Sequence, residues 1–338
     1  MTTKAQNTNT VSRMEKSHST RKSEKNTVNV FFASDRNYLP YLAVAIQSLS
    51  SFANKKYFYN IRILSEDLSA ESLLGVTGDI KPNVKISVFS VADRISGIKK
   101  ELALRLRDYY SDAIYYRIFI AEMFPTLKRA VYLDSDIVLN EDISKLYFTD
   151  IGENLLGAVT DESVMSESVF REYVKKHVRV RRAEDYFNSG VLVMNLEKMR
   201  EEKIKDQFIN LLCKYNFKTV APDQDYLNFL CRGKIHYLDR GWNKHAISEN
   251  EIKNDELYLM HFNMFNKPWR YDGVQNEELF WKSAEKTAFS EKLRSEKDCY
   301  DEKKQRGDRE AAIKLLRAAQ SIAGATDIFF RKKGKILC

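Results

Sequence analysis

From residue 28 onward, apolar positions fall into short blocks that alternate between strand-like and helix-like spacing. Residues 28–33 form an apolar run broken only by Asn29, and Leu42, Ala45, Ile46, Leu49 and Phe52 then recur at helical spacing. Between them, Ser34-Asp35-Arg36-Asn37-Tyr38 predicts a turn. Residues 61–64 and 84–88 predict further strands, with a helical stretch around 70–74 between them. Strands alternating with helices imply right-handed crossovers and a largely parallel sheet, so the predicted class is α/β.

Residues 111–124 predict one helix with Ile114, Ile118, Ala121 and Met123 on its apolar face, ended by Pro125. Arg117 lies on that helix, where spacing alone reads it as a charge on a solvated face. Residues 131–133 then predict a buried strand, and the apolar run resumes at 137–139. Asp134 and Asp136 therefore emerge at the carboxyl end of a middle strand, where open α/β sheets bind ligands. Such a pair can hold a divalent cation through hard oxygen donors. It can equally flank a tight turn, and the triplet alone does not decide.

Residues 155–159 predict a strand, and the polar, basic stretch 161–185 has the length of a lid or acceptor loop. Residues 186–190 read as a turn into a buried strand at 191–195, followed by a helix over 197–215. Pro222-Asp223-Gln224-Asp225 opens a short helix through Leu227 and Leu230, and first-turn acids there complement the helix dipole without needing any chemistry. Residues 258–262 predict a late strand ending near His261, and Lys267-Pro268-Trp269 closes the unit.

Composition narrows this picture. With 338 residues and 43% hydrophobic content, the chain can bury a sizeable core. Its formal charge of +8 is concentrated at the ends, because residues 1–27 hold six Lys/Arg against two Glu, and 303–338 hold ten against three acids. The remainder is mildly acidic, which argues against the folded basic patch expected of a nucleic-acid-binding domain. Residues 1–27 read as a disordered polar leader. Cys213, Cys231, Cys299 and Cys338 show no CxxC spacing, as expected of a reduced, cytoplasmic protein. No apolar run reaches the roughly 18–20 residues of a membrane span, and the N-terminus lacks a signal-peptide core.

Six segments, taken in order, carry a resemblance. They are Phe32 to Tyr38, the Tyr116-Arg117 helix, Tyr132-Leu133-Asp134-Ser135-Asp136, Phe187-Asn188-Ser189-Gly190-Val191, Asp223-Gln224-Asp225-Tyr226-Leu227-Asn228, and His261-Phe262 followed by Lys267-Pro268-Trp269. With these, residues 28–269 resemble the family 8 retaining glycosyltransferases, which include bacterial lipopolysaccharide galactosyl- and glucosyltransferases and the glycogenins. The resemblance implies a GT-A type, Rossmann-like nucleotide-sugar fold, a UDP-hexose donor and Mn2+, with Mg2+ as the alternative ion. By position it implies Asp134, Asp136 and His261 as metal ligands. It places Ala33, Asp35, Asn37 and Tyr38 at uracil and ribose and Lys267 at the diphosphate, and it counts Asp134 and Ser135 among the donor-binding positions. Arg117, Asp134, Asn188, Asp223 and Gln224 would meet the transferred sugar. A carboxylate nucleophile is the usual route to retention, but the position near the anomeric carbon holds the amide of Gln224, so front-face attack is expected.

The implied partners are the UDP-sugar and a glycan or glycolipid acceptor, with no nucleic acid. Residues 28–275 are expected to form the catalytic domain and 276–338 a helical, basic extension. Within that extension the amphipathic stretch 311–319 and the basic-aromatic segment 329–333 suggest docking on an anionic membrane at the inner face of the cytoplasmic membrane. Arg179, Arg181 and Arg182 match nothing in the family and suggest an anionic acceptor or a solvated loop. Two other classes compete with the transferase: a catalytically idle UDP-sugar-binding scaffold, and a metal-dependent phosphoryl-transfer enzyme lacking a phosphate-cradling glycine loop.

Overall fold

The computed structural model describes residues 26–76, 79–95, 112–214, 219–246 and 252–324. Its strands, in chain order, are β1 Thr27–Ala33, β2 Phe58–Ser65, β3 Val84–Ser90, β4 Arg129–Leu133, β5 Ile137–Leu139, β6 Leu156–Thr160, β7 Phe187–Asn195, β8 Ile235–Tyr237, β9 Lys244–His245 and β10 Leu259–His261. The larger sheet runs β3-β2-β1-β4-β7-β6-β8. Only β7 opposes its neighbours, and the other pairings are parallel. A smaller sheet, β5-β10-β9, pairs β10 antiparallel to β5 and parallel to β9.

Alternate side chains of the central strands enter two separate cores, which is why these strands read as continuous apolar runs. Val28, Val30 and Phe32 of β1 join Val131 and Leu133 of β4 and Val191 and Val193 of β7 on one face. There they meet Leu42, Ala45, Ile46 and Leu49 of helix α1 (Leu39–Phe52). Phe31, Ala130, Tyr132, Leu192 and Met194 face the other way, against Ile118, Phe119 and Ala121 of helix α2 (Tyr116–Met123). The result is a three-layer α/β unit with a mostly parallel central sheet, as the spacing predicts. The direction of the chain's excursions reverses between β1 and β4, so the loops after these two strands share one crevice.

Several local expectations change. The helix expected over 111–124 is a 3-10 turn, Asp112–Tyr115, running into α2, with Ser111 outside the described residues. The stretch at 70–74 is likewise 3-10, Glu71–Gly75. Strand β7 already begins at Phe187, so no turn separates Asn188 from the strand. The helix expected over 197–215 is two, Leu196–Glu201 and Ile204–Lys214, split by Lys203 at φ 53, which re-aims Ile204, Phe208 and Leu212 into the core.

Residues 161–185 are not an open loop. They hold helix α3 (Glu162–Ser166), helix α4 (Ser168–Tyr173) and a π-helical turn, Val174–Val178, whose apolar side chains form a small core of their own. Arg179, Arg181 and Arg182 lie exposed beyond it, with Arg182 bonded to Asp185 at 2.8 Å. Helix α5 (Pro222–Leu230) lies beside β7, its Asn228 bonding both the amide and the carbonyl of Phe187.

Helix α6 (Glu302–Ala323), inside the expected helical extension, packs on the residues before it. Ala319, Ile322 and Ala323 are buried against Tyr173, Val174 and Val178, with Leu315 beside them. At its other end Asp308 accepts hydrogen bonds from Tyr271 at 3.0 Å and Tyr300 at 2.6 Å, and pairs with Arg270 at 3.4 Å. Of the stretch read as a membrane face, Ala311 and Ala319 are buried, Leu315 and Leu316 partly so, and Ile313 is 48% exposed, while residues 329–333 and the leader through residue 25 lie outside the described residues. Among the described residues no helix is long and apolar enough to cross a membrane. Deleting residues from 302 onward should bare the apolar side chains of 164–178 and lower the melting temperature by roughly 5 °C or more. Differential scanning calorimetry checks this against the full chain.

Candidate active site

The Asp134-Ser135-Asp136 triplet is the corner at which the chain leaves the large sheet and enters the small one. Asp134 follows β4, Asp136 precedes β5, and the Ser135 hydroxyl donates to the carbonyl of Ala33 at 3.1 Å, tying the corner to the loop after β1. Register in the small sheet does the rest. His261 pairs opposite Ile137, and the amide of Phe262 donates to the carbonyl of Asp136 at 2.9 Å. His261 Nε2 therefore lies 3.2 Å from Asp136 Oδ1 and 3.9 Å from Asp134 Oδ2. One ligand atom from each of Asp134, Asp136 and His261 falls within 4.8 Å of the others.

This trio fits a divalent cation on its own geometry. His261 Nδ1 donates to Asn243 Oδ1 at 2.8 Å, and Asn243 is fixed in turn by donating to Asn188 Oδ1 at 2.9 Å. With Nδ1 bonded to Asn243, His261 turns Nε2 toward two carboxylate oxygens, and one imidazole nitrogen with two carboxylates is a donor set that suits a divalent cation. Gly190 forms the floor. A Cβ there would lie 2.6 Å from Asp134 Oδ2, and closer still to His261 Cε1. Lys267 Nζ pairs with Asp136 Oδ2 at 2.5 Å and also reaches the carbonyl of Phe262. Burial works to raise the Asp136 carboxyl, but Lys267 and His261 outweigh it and hold Asp136 well below the usual carboxylate range.

Arg117 is not a surface charge. It is 3% exposed, lies 4.3 Å above the Tyr132 ring, and donates to Asp134 Oδ1 at 2.8 Å. Its Nη1 donates to the carbonyl of Ser189 at 2.6 Å, and its Nε sits 3.3 Å from Asp223 Oδ2. A buried guanidinium thus aligns two carboxylates from different elements, and removing one partner of such a set costs about 3–5 kcal/mol. Burial raises the Asp223 carboxyl above its ordinary range against the opposing pull of Arg117.

From Asn243 the hydrogen bonds continue toward Gln224. Asn188 Nδ2 donates to Asp161 Oδ2 at 3.0 Å, and Gln224 Nε2 donates to the same oxygen at 2.9 Å. Gln224 Oε1 accepts from the Ser189 amide at 2.9 Å. Asp161 Oδ1 caps α3 by accepting from Ser163 and Val164. Burial works to raise Asp161, but His245, Asn188 and Gln224 keep it below its ordinary value. Asp225 faces away, under Tyr173 at 2.6 Å, Tyr186 at 2.7 Å and the amides of Val220 and Ala221. Burial nevertheless pushes Asp225 up to about 6.

A cavity of about 540 Å³ gathers these groups. Ala33, Asp35, Asn37, Tyr38, Arg117, Asp134, Ser135, Asp136, Asn188, Asp223, Gln224, His261 and Lys267 all line it. In the loop after β1, Asp35 accepts from the amides of Asn37 and Tyr38 at 2.9 and 3.0 Å, which shapes the turn and leaves the Tyr38 ring 39% exposed. Sequence reasoning missed Asp161, Asn243 and Asn263. Asp161 carried a usable signal, since it follows β6 as Asp134 follows β4, and both strands run in the same direction. Asn243 and Asn263 carried none.

The model of glycosyl transferase family 8 matches residues 29–273. The chain belongs to glycosyl transferase family 8. It is 31% identical over 231 residues to a Haemophilus influenzae protein named only as a glycosyltransferase, covering 68% of this chain and 67% of that one. With the lipopolysaccharide 1,2-glucosyltransferase of Escherichia coli K12 it shares 25% identity over 273 residues, 76% and 77% of the two chains. Among solved structures, the galactosyltransferase LgtC in complex with donor and acceptor sugar analogs superposes with a TM-score of 0.61 at 22% identity, over 80% of this chain and all of that one. The bifunctional glycosyltransferase WbbM gives 0.65 at 23%, over 80% of this chain, which spans about half of WbbM. These superpositions establish the GT-A fold, and the family makes the chain a glycosyltransferase.

Two outcomes follow for this family 8 site. If the trio holds a divalent cation, Gly190→Ala should weaken its binding about tenfold or more, read with Mn2+ as the probe by electron paramagnetic resonance titration, because the added carbon displaces Asp134 and His261. Asp225 is favoured neutral in the folded protein, so its stabilisation is complete below the ordinary carboxyl range near 4 and is lost as pH rises to about 6. The stability of Asp225→Asn relative to the native chain should therefore grow with pH across that window, by about 3 kcal/mol in all, in denaturant titrations at stepped pH.

Proposed function

We propose that the chain is a retaining, Mn2+-dependent hexosyltransferase that moves glucose or galactose from UDP to a glycan or glycolipid acceptor. The observation that carries this reading is the sharing of one cavity by Asp134, Asp136, His261 and Lys267, by the turn at Asp35–Tyr38, and by Arg117, Asn188, Asp223 and Gln224. The name of the E. coli relative supports a lipopolysaccharide-like acceptor, for which a cytoplasmic enzyme working at the inner membrane face is the natural setting.

Asp134, Asp136 and His261 would hold the ion, and the imidazole favours Mn2+ over Mg2+. When bound, the ion supplies charge neutralisation at a diphosphate leaving group. Asp35 and Asn37 offer polar partners to a uracil and ribose, and the exposed Tyr38 ring offers a stacking surface. The Lys267 ammonium offsets charge that grows on the departing diphosphate. Asp223, aligned by Arg117 and by Ser189 Oγ at 3.0 Å, accepts from hexose hydroxyls. Asn188 and Gln224 present fixed amide dipoles near the anomeric carbon.

Retention without a carboxylate nucleophile is supported by how the cavity's acids are engaged. Asp134, Asp136, Asp161 and Asp223 each already accept hydrogen bonds or ion pairs, and Asp225 lies under four donors outside the lining. Front-face attack, with the leaving diphosphate taking the acceptor's proton, asks nothing more of them.

The test incubates the full chain with Mn2+ and a panel of UDP-sugars and follows UDP release. Release from UDP-glucose or UDP-galactose is expected, falling roughly 100-fold or more in Asp136→Asn, with the far-ultraviolet circular dichroism retained. Binding without release would favour an idle scaffold. Phosphate-ester cleavage indifferent to the sugar would favour phosphoryl transfer, and a glycosyl adduct on Asp223 or Asp225 during turnover would overturn the front-face route.

A further inference from the structure

The cavity has two unlike halves. One is polar and holds the turn after β1, the cation-site trio and Lys267. The other carries an apolar patch, Val164 of α3, Phe170 of α4, Val174 of the π-helical turn and Ala311 and Leu315 of α6, set beside the polar groups of Asp161, Ser163, Tyr173 and Tyr186. The apolar half adjoins Asp161 and Gln224, because Asp161 caps the segment that carries Val164, and Tyr173 at the end of α4 bonds Asp225, next to Gln224.

Helix α6 is held over this half from both ends. Asp308 ties it to Arg270, Tyr271 and Tyr300, just beyond Lys267, while Ala319, Ile322 and Ala323 pack on Tyr173, Val174 and Val178. Ala311 and Leu315 lie between the two attachments, one turn apart on the same helix face. Ala311 is 3% exposed and Leu315 is only half-buried, so Leu315 keeps free surface toward the cavity.

We propose that Leu315 and Ala311, with Phe170 and Val174, form the acceptor-contacting wall of the site and select acceptors through C–H surface: a pyranose ring face, or an alkyl chain joined to it. This rests on the transferase reading above. A nucleoside diphosphate finds its charge partners only in the polar half, whereas an apolar wall with one aromatic ring suits aliphatic C–H groups. The wall borders Gln224, where an acceptor hydroxyl must arrive. The exposed arginines at 179, 181 and 182 do not line the cavity, so they give an anionic acceptor no partner within it.

The test is ligand-observed saturation-transfer NMR on the full chain with Mg2+ and UDP present, using methyl and octyl glucosides and galactosides as probes. The native chain should saturate glycoside C–H protons. Leu315→Trp, which fills the space, should reduce that signal by roughly fivefold or more, while Leu315→Met retains it. Signal from methyl glycosides assigns the wall to the ring face, and signal confined to octyl glycosides assigns it to the chain. No saturation of any glycoside by the native chain, or equal saturation in Leu315→Trp, would overturn the proposal. Thermal melting of the two variants separates loss of contact from loss of fold. The readout needs no turnover, so failure of the transferase reading shows separately, as absence of UDP release from the native chain.

Discussion

Everything at the site depends on one corner. Between Leu133 and Ile137 the chain passes from the seven-stranded sheet to the three-stranded sheet, and only three residues are available for the passage. Asp134 and Asp136 are therefore held close, and two carboxylates under 5 Å apart repel by about 3–4 kcal/mol at the effective dielectric of a protein. The fold answers this by placing cations on the outer side of each acid: Arg117 on Asp134 Oδ1, Lys267 on Asp136 Oδ2. The inner oxygens, with His261 Nε2, are left facing one another, a grouping that could hold a cation. The grouping itself is a consequence of how two sheets join.

The same corner is coupled to the far side of the cavity by side-chain amides. His261, Asn243, Asn188, Asp161 and Gln224 form an unbroken series of hydrogen bonds, each 2.8–3.0 Å long. In a buried series of this kind, fixing one amide fixes the next, since each has one donor side and one acceptor side. The orientation of Gln224 is consequently set by the same contacts that set the tautomer of His261. An amide serves here where a carboxylate would not: Gln224 donates to Asp161 through Nε2, and a glutamate in its place would set two buried anions against each other.

How far the sequence revealed this depends on the range of the interaction. The strands and the crevice were legible because both faces of β1, β4 and β7 are apolar, which leaves long uninterrupted runs. The triplet was visible because its acids are two residues apart. Arg117 was misplaced by spacing, since its partners are 17 and 106 positions away and a helical period cannot register them. Asp161 was absorbed into a polar stretch because its role as a helix cap and its role in the cavity both come from a carboxylate that composition counts only as polarity. Asn243 has no local signature, because its function is to connect residues 188 and 261. The break at Lys203 ran against helical propensity and was imposed by the core that Ile204 and Phe208 fill.

The C-terminal helix shows how one periodic stripe serves two readings. An amphipathic pattern beside many basic residues looks the same whether the apolar face meets lipid or protein, and tertiary contacts alone separate the two. In α6 the stripe meets protein, while Lys303, Lys304, Arg306, Arg309, Lys314 and Arg317 all point outward. Arg309 and Arg306 are partly matched within the helix by Glu302 and Glu310. What this helix offers an anionic surface is therefore mainly charge, with Ile313 as its one large exposed apolar side chain, and the charge attraction reaches about one Debye length and falls with salt. Through Asp308 at one end and its buried apolar residues at the other, the helix joins the loop that carries Lys267 to the segment that begins at Asp161, and it lines the cavity beyond the last residue that the family pattern reaches.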